Sequence, residues 1–183
     1  ANLSGHVPPT TAAHVQSDLS GRIDLIIDGG PVEVGVESTI IGCFDRPMLL
    51  RPGGVPRADI ERVLGHALAQ PPDDPEAGDG QPLAPGMLAS HYAPRADVRL
   101  EAADVRPGEA VLRFAGLPAD ADGAPAVLDL SPAGDLAGAA ANLFGYLRRL
   151  DASGAAAIAV APVPRHGLGE AINDRLARAA APR

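Results

Sequence analysis

The residues most able to do chemistry are Glu37, Ser38 and Thr39, which interrupt an apolar, β-branched segment over 34–41. Such a segment favours a buried strand, and buried strands seldom carry three consecutive polar groups. Side chains alternate between the faces of a strand, so Ser38 shares one face with the valines while Glu37 and Thr39 point the other way. The sequence therefore predicts a hydrogen-bonding group on each face of this strand.

A cation follows a short distance along the chain. Residues 48–51 are predicted to form a second short strand that ends on Arg51, and Pro52, Gly53 and Gly54 then turn the chain. A guanidinium at a strand end, beside flexible backbone, can hold a phosphate or carboxylate in two-point contact. The two segments together predict a site for a small anionic ligand. A polar strand that ends in a surface arginine accounts for the same spacing equally well.

A second group of polar residues lies near the start of the chain. Asn2 can donate or accept hydrogen bonds, and Thr10 and Thr11 stand directly before a helix predicted over 12–19. Helix N-termini attract anions through their free N–H groups and their dipole. From the residues alone, however, the simpler interpretation of a threonine at this place is a helix N-cap.

Composition and charge narrow the class of protein. The net charge of −8 argues against a broad basic face, so tight binding of nucleic acid is not expected. The single cysteine, Cys43, excludes an internal disulfide and fits a reducing compartment, where we expect it to be a small buried hydrophobe. No run approaches the roughly 18 apolar residues that cross a membrane, so we expect a soluble cytoplasmic protein without membrane contact.

Several kinds of active site are missing from the sequence. The histidines at positions 6, 14, 66, 91 and 166 and the lone cysteine lack zinc-ligand spacing, so no structural metal is expected. There is no Walker A loop, no GxSxG elbow and no pair of carboxylates whose spacing requires acid–base chemistry. His91 is interpreted as a hydrogen-bonded structural histidine rather than a catalytic base.

Sequence patterns divide the chain into two structured parts. The first is predicted to contain the helix over 12–19, an apolar strand over 23–27, the two strands described above and an amphipathic packing helix that begins at Pro56. Residues 70–83 are acidic, rich in proline and glycine and nearly free of apolar residues, which indicates a boundary.

The second part alternates strands with helices. Ser131 and Pro132 are the expected N-cap and first residue of a long helix whose apolar stripe runs from Leu136 to Leu150. The other predicted elements are strands over 98–101, 110–114, 126–130 and 155–161 and a terminal helix over 168–179. This order predicts an α/β fold with a small parallel or mixed sheet, as in Rossmann-like domains. No GxGxxG motif follows a strand, so dinucleotide binding is not supported.

Five ordered motifs resemble one family. GVESTI followed by LLRPG is similar to the signature of the YrdC/Sua5 family of L-threonylcarbamoyladenylate synthases. The supporting segments are ANLSGHVPPTTAAHV at 1–15, GRIDLIIDGG at 21–30, APGMLASHYAP at 84–94 and GLGEAINDRLARAA at 167–180. The last two are typical of the longer, two-domain Sua5 type. The family's catalytic domain begins further upstream with a basic motif that this sequence lacks, so we expect the C-terminal portion of such an enzyme.

The resemblance implies a fold and a function. The fold would be the C-terminal part of a YrdC-like twisted-sheet domain over 1–69, an interdomain linker over 70–96 and a small Rossmann-like Sua5 domain over 97–183. The function would be nucleotidyl transfer, in which L-threonine, bicarbonate and ATP give threonylcarbamoyl-AMP and pyrophosphate for tRNA threonylcarbamoyladenosine biosynthesis. Mg²⁺ is expected with ATP, and the product would pass to the tRNA threonylcarbamoyl-transfer machinery.

The same resemblance assigns binding roles but no certain catalytic residue. Ser38 would bind threonine, and the ATP-binding residues would be Asn2, Thr10, Arg51 and Tyr92. Two alternatives stay open. One is a non-catalytic nucleotide-binding or ligand-binding fragment of the enzyme. The other, which is less favoured, is a carbamoyl-transfer module of the hydrogenase-maturation kind, which shares the YrdC fold but lacks the HYAP linker and the Rossmann-like tail.

Overall fold

The computed structural model describes residues 6–70 and 91–182 as one two-stranded sheet, one four-stranded sheet and four helices. Most of the predicted boundary segment lies outside the described residues. The helices are α1 (Ala12–Leu19), α2 (Arg57–Leu64), α3 (Leu136–Asp151) and α4 (Leu168–Ala180). The strands are β1 (Ile40–Gly42), β2 (Met48–Arg51), β3 (Asp97–Arg99), β4 (Glu109–Arg113), β5 (Val127–Asp129) and β6 (Ala157–Val160).

The larger sheet confirms the predicted α/β class. Its strand order is β3-β6-β4-β5, and every neighbouring pair is parallel. Helix α3 packs against β4 and β5, while α4 packs against β3 and against α3. Strands β4 and β6 are almost completely buried, which explains the apolar residues of β6 and of the centre of β4. The predicted apolar stripe of α3 forms much of the core, since Leu143, Leu147 and Leu150 are fully buried.

The start of α3 differs from the prediction. The observed N-cap is Asp135 rather than Ser131, and Pro132 lies before the helix. The Asp135 carboxylate accepts hydrogen bonds from the amides of Ala137 and Gly138 at 3.2 and 2.6 Å, and the Ser131 hydroxyl accepts one from the Asp135 amide. A carboxylate that satisfies two free N–H groups caps the helix more effectively than the hydroxyl one turn earlier.

The predicted strand over 34–41 is also shorter in the structure, where β1 covers only Ile40–Gly42. Gly35 has a left-handed φ of 76°, and a Cβ atom on it would lie 2.0 Å from the Ala140 carbonyl oxygen of α3. The backbone therefore turns toward α3 at this glycine and places Val36 in the core beside that helix. As a result, the strand begins only at Ile40.

Two other predicted elements, the strand over 23–27 and the packing helix, do not bury their apolar side chains as predicted. The predicted strand over 23–27 is not a strand, and Leu25 and Ile27 are 77% and 89% exposed, because no described strand pairs with this segment. Helix α2 ends at Leu64, because Gly65 follows it with a left-handed φ of 75°, and no residue of α2 is buried. Cys43 is exposed rather than buried. Strand propensity and amphipathic spacing without a partner surface did not produce burial here.

Candidate functional site

Ser38 and Arg51 meet where the two-stranded sheet ends. The Arg51 Nε and Nη2 atoms donate to the Ser38 carbonyl oxygen at 3.3 and 2.9 Å, and Nη2 also lies 3.3 Å from the Ser38 hydroxyl. Arg51 is buried, with 8% of its surface exposed. The structure thus brings together two of the predicted site residues and excludes the alternative of a surface arginine.

A glycine makes this close approach possible. A Cβ atom on Gly53 would lie 2.4 Å from backbone atoms of Glu37, Ser38 and Thr39, so a larger residue does not fit. The Gly54 amide donates to the Glu37 carbonyl oxygen at 2.9 Å. These contacts explain why glycine follows the Arg51–Pro52 pair, because the loop after β2 must lie directly on the segment before β1.

Glu37 contacts an arginine from the far end of the chain. The Arg175 Nε atom donates to Glu37 Oε2 at 2.8 Å, and Arg175 Nη2 donates to the Pro52 carbonyl oxygen at 3.0 Å. Arg175 also pairs with the Asp174 carboxylate and is completely buried. Burial would raise the pKa of Glu37, but the charge and hydrogen bond of Arg175 outweigh it and leave that pKa below its ordinary value.

Tyr92 lies against the same pair of charges. The Arg175 guanidinium carbon is 5.3 Å from the centre of the Tyr92 ring, and the ring stacks on Phe144 of α3 at 5.5 Å. Tyr92 is 1% exposed and shares a side-chain hydrogen bond with Glu37. Burial raises its pKa, so the hydroxyl keeps its proton and donates. The predicted linker residue thus lies beside the Ser38–Arg51 group as a buried side chain.

His91 is the residue before Tyr92 and is partly buried. Its ring makes an edge contact with the Tyr92 ring at 4.1 Å, and within the described part of the chain its Nδ1 atom is buried without a hydrogen-bond partner. Burial is the largest cause of a lowered pKa for His91. The prediction that His91 is a hydrogen-bonded structural histidine is therefore wrong for its Nδ1 atom.

Thr10 lies in a different group of contacts. Its hydroxyl is 3.2 Å from His14 Nδ1, while Thr11, not Thr10, caps α1 by accepting from the His14 amide. Thr10 is 8% exposed and faces Gly145 of α3. None of its hydrogen bonds recorded among the described residues reaches Ser38 or Arg51. Asn2 lies outside the described residues.

Arg148 of α3 holds the segment around Thr10. It donates to the carbonyl oxygens of Val7 and Pro8 and pairs with Asp18 of α1, with Nη1 at 3.0 Å from Asp18 Oδ1. Both members of the ion pair are mostly buried, at 17% and 13% exposure of their side chains. The long helix of the parallel sheet therefore fixes the N-terminal segment that carries the predicted nucleotide-binding threonine.

The sequence interpretation missed Arg175, although a signal exists. Arg175 follows Leu168 by seven residues and Ile172 by three, so helical spacing puts it on the apolar stripe of α4. Arginine is rarely completely buried unless it is paired. A charged residue at a core position of an amphipathic helix thus indicates a buried partner elsewhere in the chain.

Metal-binding clusters and membrane-spanning helices are absent from the described residues. Within 6–70 and 91–182 no group of three or more histidine, cysteine or acidic side chains could hold a metal ion. Across those same two ranges, no helix is both long and apolar enough to cross a membrane. A cavity of about 560 Å³ lies between the loops at 103–108 and 118–124 and is lined by none of the predicted site residues.

Family models match almost the entire chain. The model described as threonylcarbamoyl-AMP synthase, C-terminal domain, matches residues 55–181. A second model, named for Sua5, YciO and YrdC and described as telomere recombination, matches residues 1–53. The two matches cover both sides of the candidate site and follow each other in the order that the sequence motifs predict.

Similar proteins and structures agree with these models. Proteins named threonylcarbamoyl-AMP synthase from Bacillus subtilis and Pyrococcus abyssi are each 37% identical to the chain, of which they match 98%. A crystal structure of P. abyssi Sua5 complexed with L-threonine superposes with a TM-score of 0.80 at 35% identity over 98% of the chain. A P. abyssi Sua5 variant with a histidine and a tyrosine changed to alanine gives 0.72 at 30% identity, also over 98% of the chain.

The relatives are longer than this chain. The chain spans about half the length of the curated relatives, 55% of the B. subtilis protein and 56% of the P. abyssi protein, and 56% and 53% of the two solved chains. The predicted resemblance and the predicted α/β class are nevertheless both confirmed. The chain belongs to the Sua5/YrdC family, through the family described as threonylcarbamoyl-AMP synthase, C-terminal domain.

Proposed function

We propose that this chain acts in the synthesis of threonylcarbamoyl-AMP, as the C-terminal portion of a nucleotidyltransferase. The observation that carries the proposal is the buried contact between Ser38 and Arg51, held closed by Gly53, in a chain that belongs to this family. A hydroxyl beside a buried guanidinium suits a ligand that has both a polar amino-acid part and a phosphate.

The proposed reaction joins three substrates. The threonine amine combines with bicarbonate to give a carbamate and water. A carbamate oxygen then attacks the α-phosphorus of ATP, the bond from that phosphorus to the bridging oxygen breaks, and pyrophosphate leaves. Charge neutralisation and positioning do most of the work in such a transfer, so no dedicated protein base is required. The product would pass to the machinery that modifies tRNA, in the cytoplasm.

The resemblance to the family suggests a role for each of the predicted site residues. Arg51 neutralises phosphate charge and Ser38 holds threonine, while Asn2 and Thr10 hold the nucleotide and Tyr92 closes the site from the linker. Mg²⁺ would arrive with ATP and be held mainly by phosphate oxygens and water, since it gives up its water reluctantly. We propose that residues 1–69 belong to the catalytic portion, residues 70–96 to the linker and residues 97–183 to the Rossmann-like domain.

Calorimetric titration with a stable analogue of threonylcarbamoyl-AMP tests the proposal. Arg51→Ala should weaken binding at least tenfold, because it removes the only cation proposed to contact the phosphate. Arg62→Ala is the matched control, since Arg62 is exposed on α2 and pairs with the neighbouring Asp59 of the same helix. Circular dichroism must show that each variant is folded. Equal losses in the two variants, or no binding by the folded wild-type chain, would refute the assignment.

A second candidate is a ligand-binding portion that does not catalyse the reaction by itself. The observation that favours it is the coverage of only about half of each relative. It predicts that the chain binds the analogue but releases no pyrophosphate when L-threonine, bicarbonate, ATP and Mg²⁺ are supplied together. Pyrophosphate release above the background, abolished by Arg51→Ala, would exclude it.

A further inference from the structure

One guanidinium from α4 contacts both segments that form the candidate site. Arg175 donates to the side chain of Glu37, the residue before Ser38, and to the carbonyl oxygen of Pro52, the residue after Arg51. The guanidinium is planar and rigid, so its two donors fix the separation of the groups that they contact. The relative position of Ser38 and Arg51 therefore depends on a side chain from the other end of the sequence.

The surroundings of Arg175 leave this side chain little freedom. It is completely buried, its third nitrogen pairs with Asp174, and the Tyr92 ring covers the guanidinium at 5.3 Å. Tyr92 is itself fixed by stacking on Phe144 and by its hydrogen bond with Glu37. The acceptors and the ring thus hold the guanidinium from several directions.

A buried charge is an unusual choice at this position. The same stripe of α4 carries Ile172 and Leu176, and a well-packed apolar side chain in place of a buried ion pair often leaves stability unchanged or higher. Simple attachment of α4 to the rest of the molecule therefore does not call for an arginine. Contact with two specific acceptors does require an arginine at this position, because an apolar side chain cannot align Glu37 and the Pro52 carbonyl.

We propose that Arg175 is a positioning residue for the Ser38–Arg51 site. Through Arg175, the position of α4 relative to this site controls the affinity for a ligand that contacts both Ser38 and Arg51. This inference rests on the proposed function, since it takes threonylcarbamoyl-AMP as the spanning ligand. The coupling is reciprocal: a ligand that fixes Ser38 relative to Arg51 also favours the docked position of α4.

The test compares a ligand that contacts both residues with ligands that contact one of them. The probes are the stable threonylcarbamoyl-AMP analogue, L-threonine and AMP, each titrated calorimetrically into the complete chain. In Arg175→Gln the analogue should bind at least tenfold more weakly, while L-threonine and AMP each lose threefold or less. The analogue joins the threonine part and the AMP part in one molecule, and it binds more tightly than either part when the two subsites lie at the right separation. A change in that separation removes this gain in affinity without abolishing the binding of each part alone.

Two further variants separate positioning from general stability. Arg175→Lys keeps the charge but reaches one acceptor, so it should give an intermediate loss for the analogue. Glu170→Gln is the matched control, because Glu170 also lies on α4 but its carboxylate pairs with Arg57 of α2, with a 2.5 Å contact, rather than with Arg175. This control should bind all three probes within twofold of wild type. If Arg175→Gln does not fold, Arg175→Lys decides the outcome.

Two results would overturn the inference. One is unchanged analogue binding in a folded Arg175 variant, and the other is an equal loss in Glu170→Gln. If the wild-type chain binds none of the probes, the proposed function fails, and hydrogen exchange of the Gly54 amide decides the inference separately. That amide donates to the Glu37 carbonyl, so Arg175→Gln should speed its exchange at least tenfold and Glu170→Gln should not. Equal exchange in the two variants would refute positioning.

Discussion

Replacing Gly53 with alanine tests whether the close approach of two backbone segments creates the candidate site. A Cβ atom there would lie 2.4 Å from the Glu37 carbonyl oxygen, the Ser38 carbonyl carbon and the Thr39 amide nitrogen. Ordinary contacts of this kind begin near 3.4 Å. Since all three atoms belong to the backbone, no side chain can rotate away, and the segment must move by about 1 Å.

The expected cost follows from that displacement. Inserting a methyl group into a closely packed place costs about 1–3 kcal/mol. A shift of this size also weakens the bonds from Arg51 to the Ser38 carbonyl and from the Gly54 amide to the Glu37 carbonyl, each worth about 1 kcal/mol. We therefore expect Gly53→Ala to lower the free energy of unfolding by about 3 kcal/mol. Analogue binding should weaken at least tenfold, because Ser38 moves away from Arg51.

Urea unfolding followed by circular dichroism measures the loss, with two other glycines as controls. Gly29→Ala meets no atom within 4 Å and needs no unusual backbone angle, so its stability should stay within about 0.5 kcal/mol of wild type. Gly65→Ala also meets no atom but has a φ of 75°, so backbone strain alone should cost about 1 kcal/mol. A Gly53→Ala variant as stable as Gly29→Ala, with unchanged analogue binding, would refute the reasoning.

Two further predictions concern charged residues. Arg148→Ala should lower the free energy of unfolding by about 2–4 kcal/mol, because it leaves the mostly buried Asp18 carboxylate and two carbonyl oxygens without their donor. In the same urea titration, replacing its exposed neighbour Arg149 with alanine should lower that free energy by less than about 0.5 kcal/mol. Burial raises the pKa of Glu37, but the charge and hydrogen bond of Arg175 outweigh it and leave that pKa below its ordinary value, so the stabilisation by Glu37 is present above pH 4.5 and disappears as the pH falls through the lowered pKa. The stability difference between wild type and Glu37→Gln should therefore shrink from pH 7 to pH 3. A constant difference would contradict the ion pair.

Local patterns in the sequence predicted the parts of the site that are close in the chain. The contact between Ser38 and Arg51 follows from two short segments joined by a few residues, and the motif around Gly53 needs only one tight turn. The strand register was less predictable. Gly35 turns the backbone against Ala140 of α3, and no periodicity within residues 34–41 contains that distant contact.

The two elements whose predicted packing is wrong, residues 23–27 and α2, share one physical cause. Residues 23–27 have strand propensity and α2 has helical apolar spacing, yet Leu25 and Val63 are 77% and 81% exposed. Propensity and spacing describe how a segment could bury a face, whereas burial also requires a partner surface. In α3 and β4 that partner exists within the described sheet, and there the predicted core residues are buried.

The contacts around the site argue that the two-stranded sheet does not hold it alone. Val36, two residues before Ser38, lies in the same apolar core as Phe144 of α3, and Tyr92 packs on that phenylalanine. Glu37, between Val36 and Ser38, is held by Arg175 of α4. Three consecutive residues thus contact α3, α4 and Arg51 in turn. Because a side chain of the site cannot move without its neighbours, any ligand that fixes Ser38 must also stabilise the packing of both helices.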